Sequence, residues 1–382
     1  MRNSGPKAPK AIQTLINKSE KEILDPLDRR LLTLALSERI DQEALEAFLR
    51  DWDIEKAPIK SVMLMAYLMK THEEVRFPAD ITPRLNGVLS FCRFQNLKRC
   101  AHLSKVGAAL NGVGIPFAIL KGGAMKVYRP DFPRWMNDID ILVPEDRYKE
   151  AVDLGVKLGY RKSADTDHSV DLHLPDSGEG LIDIHKKLET VNGKEDKLNP
   201  GLFSRAERRE MFSVQGLLPC PEDMVFVLLF ELFKNCARNE QQESKLMAFF
   251  DIKYLVGLKP DFDWEIVLDN AAKTSTMFQV WFSASVLSQI VPDVFPEDLR
   301  VRIADDLGKK EFEKQTVDFL FKRDVLTSTR EKFQETAVGR HVLHDYNPLV
   351  FVWVGFVNVM KGIFKSTTVK RIILEIRHRK TD

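Results

Sequence analysis

Apolar residues recur along this chain at two periods, and the change of period marks its organisation. From about residue 11 to 105 the spacing is helical. Leu31, Leu32, Leu34 and Leu36, then Leu45, Phe48 and Leu49, form apolar stripes, and residues 61–68 (SVMLMAYL) read as a buried helical segment. A further helix is predicted over 91–110, stopped at Asn111-Gly112. From Val113 the pattern shortens to strands at 116–120, 137–143, 160–163, 168–174 and 181–188, with helices at 122–129 and 145–158 between them. The turn of Pro, Asp, Ser, Gly and Glu residues at 175–180 makes the last two strands a hairpin. Beyond Leu188 the chain reads as helical again. Pro219-Cys220-Pro221-Glu222-Asp223 is a helix start, with acids in the first turn, leading into the apolar 224–233. Helices follow at about 244–257, 264–273, 276–290, 296–306 and 309–324.

These elements predict an α+β protein: a small mixed β-sheet core over 113–200, flanked by helical regions over 11–112 and 201–340. A polar tail over 1–10 precedes them, and an apolar segment and basic helix over 341–382 follow. The 382 residues, 44% of them hydrophobic, are enough to bury a substantial core. With 57 basic against 56 acidic residues, the net charge of +1 gives no whole-chain reason to expect nucleic acid binding, so any electrostatic site is local. Cys92, Cys100, Cys220 and Cys236 include no C-x-x-C pair, which favours reduced thiols in a cytoplasmic protein over disulfides or zinc. The first ten residues have no long apolar run after them and do not resemble a signal peptide. The longest uncharged apolar run, 348–360, is 13 residues, short of the ~20 a helix needs to cross a bilayer. Residues 361–382 carry seven Lys or Arg against two acids on an amphipathic stripe. Docking of that stripe onto the protein is the first reading, and contact with an anionic membrane surface or RNA the second.

The chemistry concentrates in residues 115–143, IPFAILKGGAMKVYRPDFPRWMNDIDILV. In the run Asp138-Ile139-Asp140-Ile141-Leu142-Val143 acidic and apolar residues alternate, so Asp138 and Asp140 share one strand face while Ile139, Ile141 and Val143 turn to the core. The strand LIDIH adds Asp183 on the face that also carries Leu181 and His185. Two divalent ions held ~3.5–4 Å apart by shared carboxylates can activate an attacking oxygen and stabilise a leaving pyrophosphate. Mg²⁺ suits such a site, with Mn²⁺ the alternative, because it accepts a few carboxylates together with phosphate oxygens. Gly122-Gly123 at a strand-to-helix turn lets the backbone approach a phosphate, and the following helix offers free N–H groups. Lys121, Lys126, Arg129 and Arg134 are the nearby cations that could neutralise a triphosphate.

In order and spacing, LKGGAMKVYRPDFPRWMNDIDILV followed by LIDIH resembles the nucleotidyltransferase superfamily with the DNA polymerase β-type core, and within it an uncharacterised bacterial branch. The resemblance implies transfer of a nucleoside monophosphate from an NTP substrate to an unidentified acceptor (small molecule, protein or RNA), with release of pyrophosphate. Carried over by position, it implies that Asp138 and Asp140 are the metal-binding pair, Asp183 the third carboxylate, and Gly122 and Gly123 the phosphate turn, with Lys121 beside them. Arg134 and His185 match positions characteristic of the branch. Two departures stand out. Gly122-Gly123 replaces the commoner Gly-Ser, so no hydroxyl is available at the second position. The 16-residue step from Gly122 to Asp138 is also longer than in the small members.

Each element alone has a plainer reading: D-x-D as a solvated strand face, Gly-Gly as a turn, His185 as a structural residue, Asp251 and Lys253 as surface charge. His168 and His173 fall on opposite strand faces, which argues against a zinc cluster with His185. The competing function is a non-catalytic scaffold, a helical interaction module around a degenerate nucleotide-binding core.

Overall fold

The computed structural model describes residues 24–308, apart from 133, 164, 167, 176–179, 189–197 and 239–241, together with residue 315. The expected tail at 1–10, the helix at 309–324 (apart from residue 315), the apolar run at 348–360, the basic helix beyond it and most of the 175–180 turn lie outside the described residues.

Four helices come first: α1 (Pro26–Leu36), α2 (Gln42–Asp51), α3 (Ile59–Thr71) and α4 (Thr82–Gly112). Asp25 caps α1 by accepting from the Leu27 N–H at 2.8 Å, and Asp41 caps α2. Helix α4 starts nine residues before the expected 91, with Pro83 in its first turn, where the missing N–H costs nothing. Its 31 residues give a rod of ~46 Å, long enough to back the sheet, and it packs on β-strands of both halves.

The sheet has seven strands: β1 (Ala118–Ile119), β2 (Ile139–Leu142), β3 (Arg161–Lys162), β4 (Ser169–His173), β5 (Gly180–His185), β6 (Glu207–Met211) and β7 (Val214–Leu218), in the order β3-β4-β5-β2-β1-β7-β6. The β4–β5 hairpin forms as expected, and β2 runs parallel to β5 and antiparallel to β1. Helix α5 (Lys121–Tyr128) joins β1 to β2 on the way round, and α6 (Tyr148–Lys157) joins β2 to β3. The β6–β7 hairpin corrects the expectation of helix alone beyond Leu188. It follows the short α7 (Asn199–Arg205), and β7 pairs in parallel with β1, extending the sheet by two strands. Gly216 on β7 makes that approach feasible, because a Cβ there would meet Phe117 at 2.9 Å.

The second helical set is α8 (Pro221–Arg238), α9 (Gln242–Gly257), α10 (Trp264–Lys273) and α11 (Met277–Ile290), with residues 297–308 also helical. Helix α8 packs against α9, α10 and α11, while α9 also reaches back to α1 and α3. Buried Asp223 ties this set together by accepting from Arg205 and from Asn270 Nδ2 at 2.8 Å. The fold is α+β, as the periodicities predicted. Among the described residues no helix is long and apolar enough to cross a membrane, and none of the four cysteines is in a disulfide.

Candidate active site

Strands β2 and β5 lie side by side with Asp140 opposite Asp183. Residues at matching positions of parallel strands stand on one face, so Ile139, Ile141, Ile182 and Ile184 fill the core while both carboxylates emerge on the other side. His185, two residues beyond Asp183, bridges them: its Nε2 lies 3.0 Å from Asp140 Oδ1 and 2.9 Å from Asp183 Oδ2. The His168 ring stacks on it at 5.8 Å between centroids. His173 takes no part in the acidic cluster.

Asp138 precedes β2 and lines the same cavity as Asp140 and Asp183. Burial, then repulsion from Asp140, pushes its carboxyl up to about 7. Asp140 is more deeply buried, yet Lys121 and His185 outweigh burial and hold it well below the usual carboxylate range. For His185 burial works against charge, but hydrogen bonds to Asp140 and Asp183 prevail and push it up to about 9. Lys121 Nζ donates to Asp140 Oδ1 at 2.7 Å and lies 3.6 Å from Glu231 Oε1. Burial again opposes, and the two carboxylates keep the ammonium charged.

The backbone at this junction is strained. Lys121, at the first position of α5, has φ +45°, a left-handed conformation uncommon outside glycine. The two glycines that follow differ in surroundings. A Cβ at Gly123 would sit 2.6 Å from Ile119 Cγ2, so this glycine lets α5 close onto β1. A Cβ at Gly122 would face the cavity, 3.2 Å from Met136 Cγ and 3.4 Å from Arg134 Nε.

Arg134 is bonded to Asp251 on α9, and its backbone oxygen accepts from the Asn96 side chain of α4. Asp251 is therefore not surface charge: it is 1% exposed, and burial raises its carboxyl even with Arg134 beside it. Periodicity could not reveal this, because the partner is 117 residues away. Glu231 on α8 was likewise missed. It sits in the long apolar run of that helix, where a single acid is the only local sign of a polar neighbour.

Two cavities meet at Lys121, Asp183 and Glu231. One, of about 270 Å³, contains Gly122, Asp138, Asp140, Arg134 and Lys60. The other, of about 290 Å³, contains His185 and His168 and is walled by apolar residues of α8. Asp140, Asp183 and His185 present ligand atoms within 4.8 Å of one another, a set that suits a divalent cation. Asp183 Oδ1 and His185 Nδ1 are buried with no hydrogen-bond partner, and an unpaired buried carboxylate oxygen is what a cation would satisfy.

The site is thus a strand pair that presents paired acids beside a glycine turn, in a mixed sheet flanked by helices. A family model described as "Uncharacterised nucleotidyltransferase" matches residues 61–292, well over half of the chain, and the chain belongs to that family. Three solved structures are similar. The solution structure of the antibiotic-resistance factor ANT(2'')-Ia is 15% identical, with a TM-score of 0.36 over 47% of this chain and 93% of that one. The crystal structure of ANT(2'')-Ia in complex with adenylyl-2''-tobramycin is 17% identical, with a TM-score of 0.34 over 47% and 98%. An antigenic nucleotidyltransferase-like protein from Paracoccidioides brasiliensis is 13% identical, with a TM-score of 0.33 over 54% and 92%. No curated protein matches the chain.

Proposed function

We propose that this protein transfers a nucleoside monophosphate from an NTP to an acceptor, releasing pyrophosphate. The observation that carries the reading is the register of Asp140 with Asp183 across β2 and β5, with Asp138 in the same cavity and a glycine turn beside them. Asp138, Asp140 and Asp183 would hold Mg²⁺ or Mn²⁺, with His185 at its edge; when bound, the cations supply charge neutralisation for the triphosphate and the developing pyrophosphate. Gly122 admits the phosphates next to the N-terminal turn of α5, where backbone N–H groups point outward. Lys121 and Arg134 supply positive charge on the same side. Asp183, facing both cavities, is the group that takes the proton from the acceptor.

One feature favours the competing scaffold reading: Asp140 is already neutralised within the protein by Lys121 and His185. The two readings part in one experiment. The protein is incubated with each α-labelled NTP, Mg²⁺ or Mn²⁺ and a cell extract, beside the Asp140→Asn variant. Transfer of label that the variant abolishes supports the enzyme; absence of labelling with every nucleotide and metal supports the scaffold.

A further inference from the structure

The two cavities that meet at Asp183 differ in chemistry, and the difference bears on the acceptor. If nucleotidyl transfer is the reaction, attacking and leaving oxygens stand roughly in line on opposite sides of the α-phosphorus. Pyrophosphate leaves towards the glycine turn, that is, into the cavity of Gly122, Arg134 and Lys60. The nucleophile then comes from the other cavity that Asp183 lines.

Phe226, Val227 and Phe230 of α8 wall this second cavity together with Leu188, and all four are buried residues. Its hydrogen-bonding groups include the hydroxyls of Thr274 and Thr276, which lie 2.7 Å apart, and the His168 ring. Its carboxylates are both matched by cations: Glu231 by Lys121 at 3.6 Å and Lys234 at 3.1 Å, and Asp183 by His185 at 2.9 Å. A polyamine entering here would shed water without gaining an unmatched carboxylate, a costly exchange. The volume, about 290 Å³, is at the small end of ligand clefts.

We propose, on the basis of the nucleotidyl-transfer reading, that this cavity receives the acceptor, and that the acceptor is a small hydroxyl-bearing molecule with an apolar face and no excess positive charge. The acceptor oxygen forms the new bond to the α-phosphorus. The bond from that phosphorus to the bridging oxygen breaks, and its electron pair leaves with pyrophosphate. The hydroxyl proton passes to the Asp183 carboxylate, which lines both cavities.

The test uses the full chain and a cell extract divided by ultrafiltration into small molecules and macromolecules. Each fraction is incubated with the four α-labelled NTPs and Mg²⁺, and nucleotide binding is followed separately with the α,β-methylene NTP analogues. Label is expected in the small-molecule fraction, in a product retained on a reversed-phase column and not on a cation exchanger at neutral pH. Val227→Trp, which fills the cavity, is expected to lower labelling at least tenfold while leaving analogue affinity within twofold of wild type. Should that variant not fold, Phe230→Ser, which makes the wall polar, is expected to do the same. Label on protein, RNA or a polycationic product overturns the proposal. So does a filled cavity that leaves transfer intact, or analogue binding with no label in either fraction. A wild-type protein that neither binds the analogues nor labels any fraction instead removes the nucleotidyl-transfer reading itself.

Discussion

The Lys121 ammonium donates to Asp140 Oδ1 at 2.7 Å and reaches Glu231 Oε1 at 3.6 Å, so one cation ties the acidic strand β2 to helix α8. Removing a partner of a buried pair leaves the other charge uncompensated. Because the Lys121 side chain keeps some solvent contact, Lys121→Met is expected to cost ~1–3 kcal/mol in the metal-free protein, less than for a fully buried pair. Mn²⁺ should restore much of that loss. Thermal unfolding with and without Mn²⁺ checks this: the metal-induced rise in Tm should be larger in the variant than in wild type. An equal rise would mean that lysine and metal do not act on the same oxygen.

Arg134 and Asp251 make a second test. Asp251→Ala strands Arg134 and should destabilise the fold by ~3–5 kcal/mol, whereas the double variant Arg134→Met, Asp251→Ala should recover a good part of it. Urea denaturation of the four proteins gives the cycle. If the double variant is no more stable than Asp251→Ala, the pair is not what holds Arg134 against α9.

The neighbouring glycines should separate packing from access. Gly123→Ala brings a methyl within 2.6 Å of Ile119 and should cost ~1–3 kcal/mol of stability through overpacking. Gly122→Ala meets Met136 Cγ at 3.2 Å and Arg134 Nε at 3.4 Å, looser contacts than at Gly123, and should cost less stability than Gly123→Ala while weakening NTP binding. Denaturation midpoints and nucleotide titrations together distinguish these outcomes.

Between pH 3.8 and 9 the Asp138 and His185 shifts should lower the stability of the metal-free protein as pH rises. Asp138 is raised from 3.8 to about 7 in the folded state, so between those values the native protein binds more protons than the unfolded chain and loses stability with rising pH. His185, raised from 6.5 to about 9, continues the decline over the next window, its contribution being complete below 6.5 and lost through 9. Urea midpoints in chelator should show Asp138→Asn flattening the lower window and His185→Gln the upper one. A midpoint independent of pH between 4 and 9 would contradict the charge arrangement.

Much of the site was legible in sequence because its parts obey local rules. Alternation put Asp138 and Asp140 on one face, the hairpin carried Asp183 and His185, and a glycine pair marked the turn. What stayed hidden comes from long-range pairing. Strand β6 reads Glu207-Arg208-Arg209-Glu210-Met211, mostly exposed and without apolar alternation, and becomes a strand because β7 offers it an edge. Glu231 and Asp251 belong to helices whose packing, not their own sequence, turns them towards Lys121 and Arg134. The left-handed Lys121 has no sequence signal at all, since a glycine stands next to it and would fit that conformation better.

The central claim is that Asp140 and Asp183 bind divalent cation together with nucleotide. Titration of Mn²⁺ by electron paramagnetic resonance, with and without an α,β-methylene NTP analogue, addresses it directly. Wild type should bind Mn²⁺ with an affinity that the analogue increases, and Asp140→Asn and Asp183→Asn should each lose at least tenfold in that affinity while staying folded by circular dichroism. Unchanged Mn²⁺ binding in both variants, or none in wild type with the analogue present, would contradict the account.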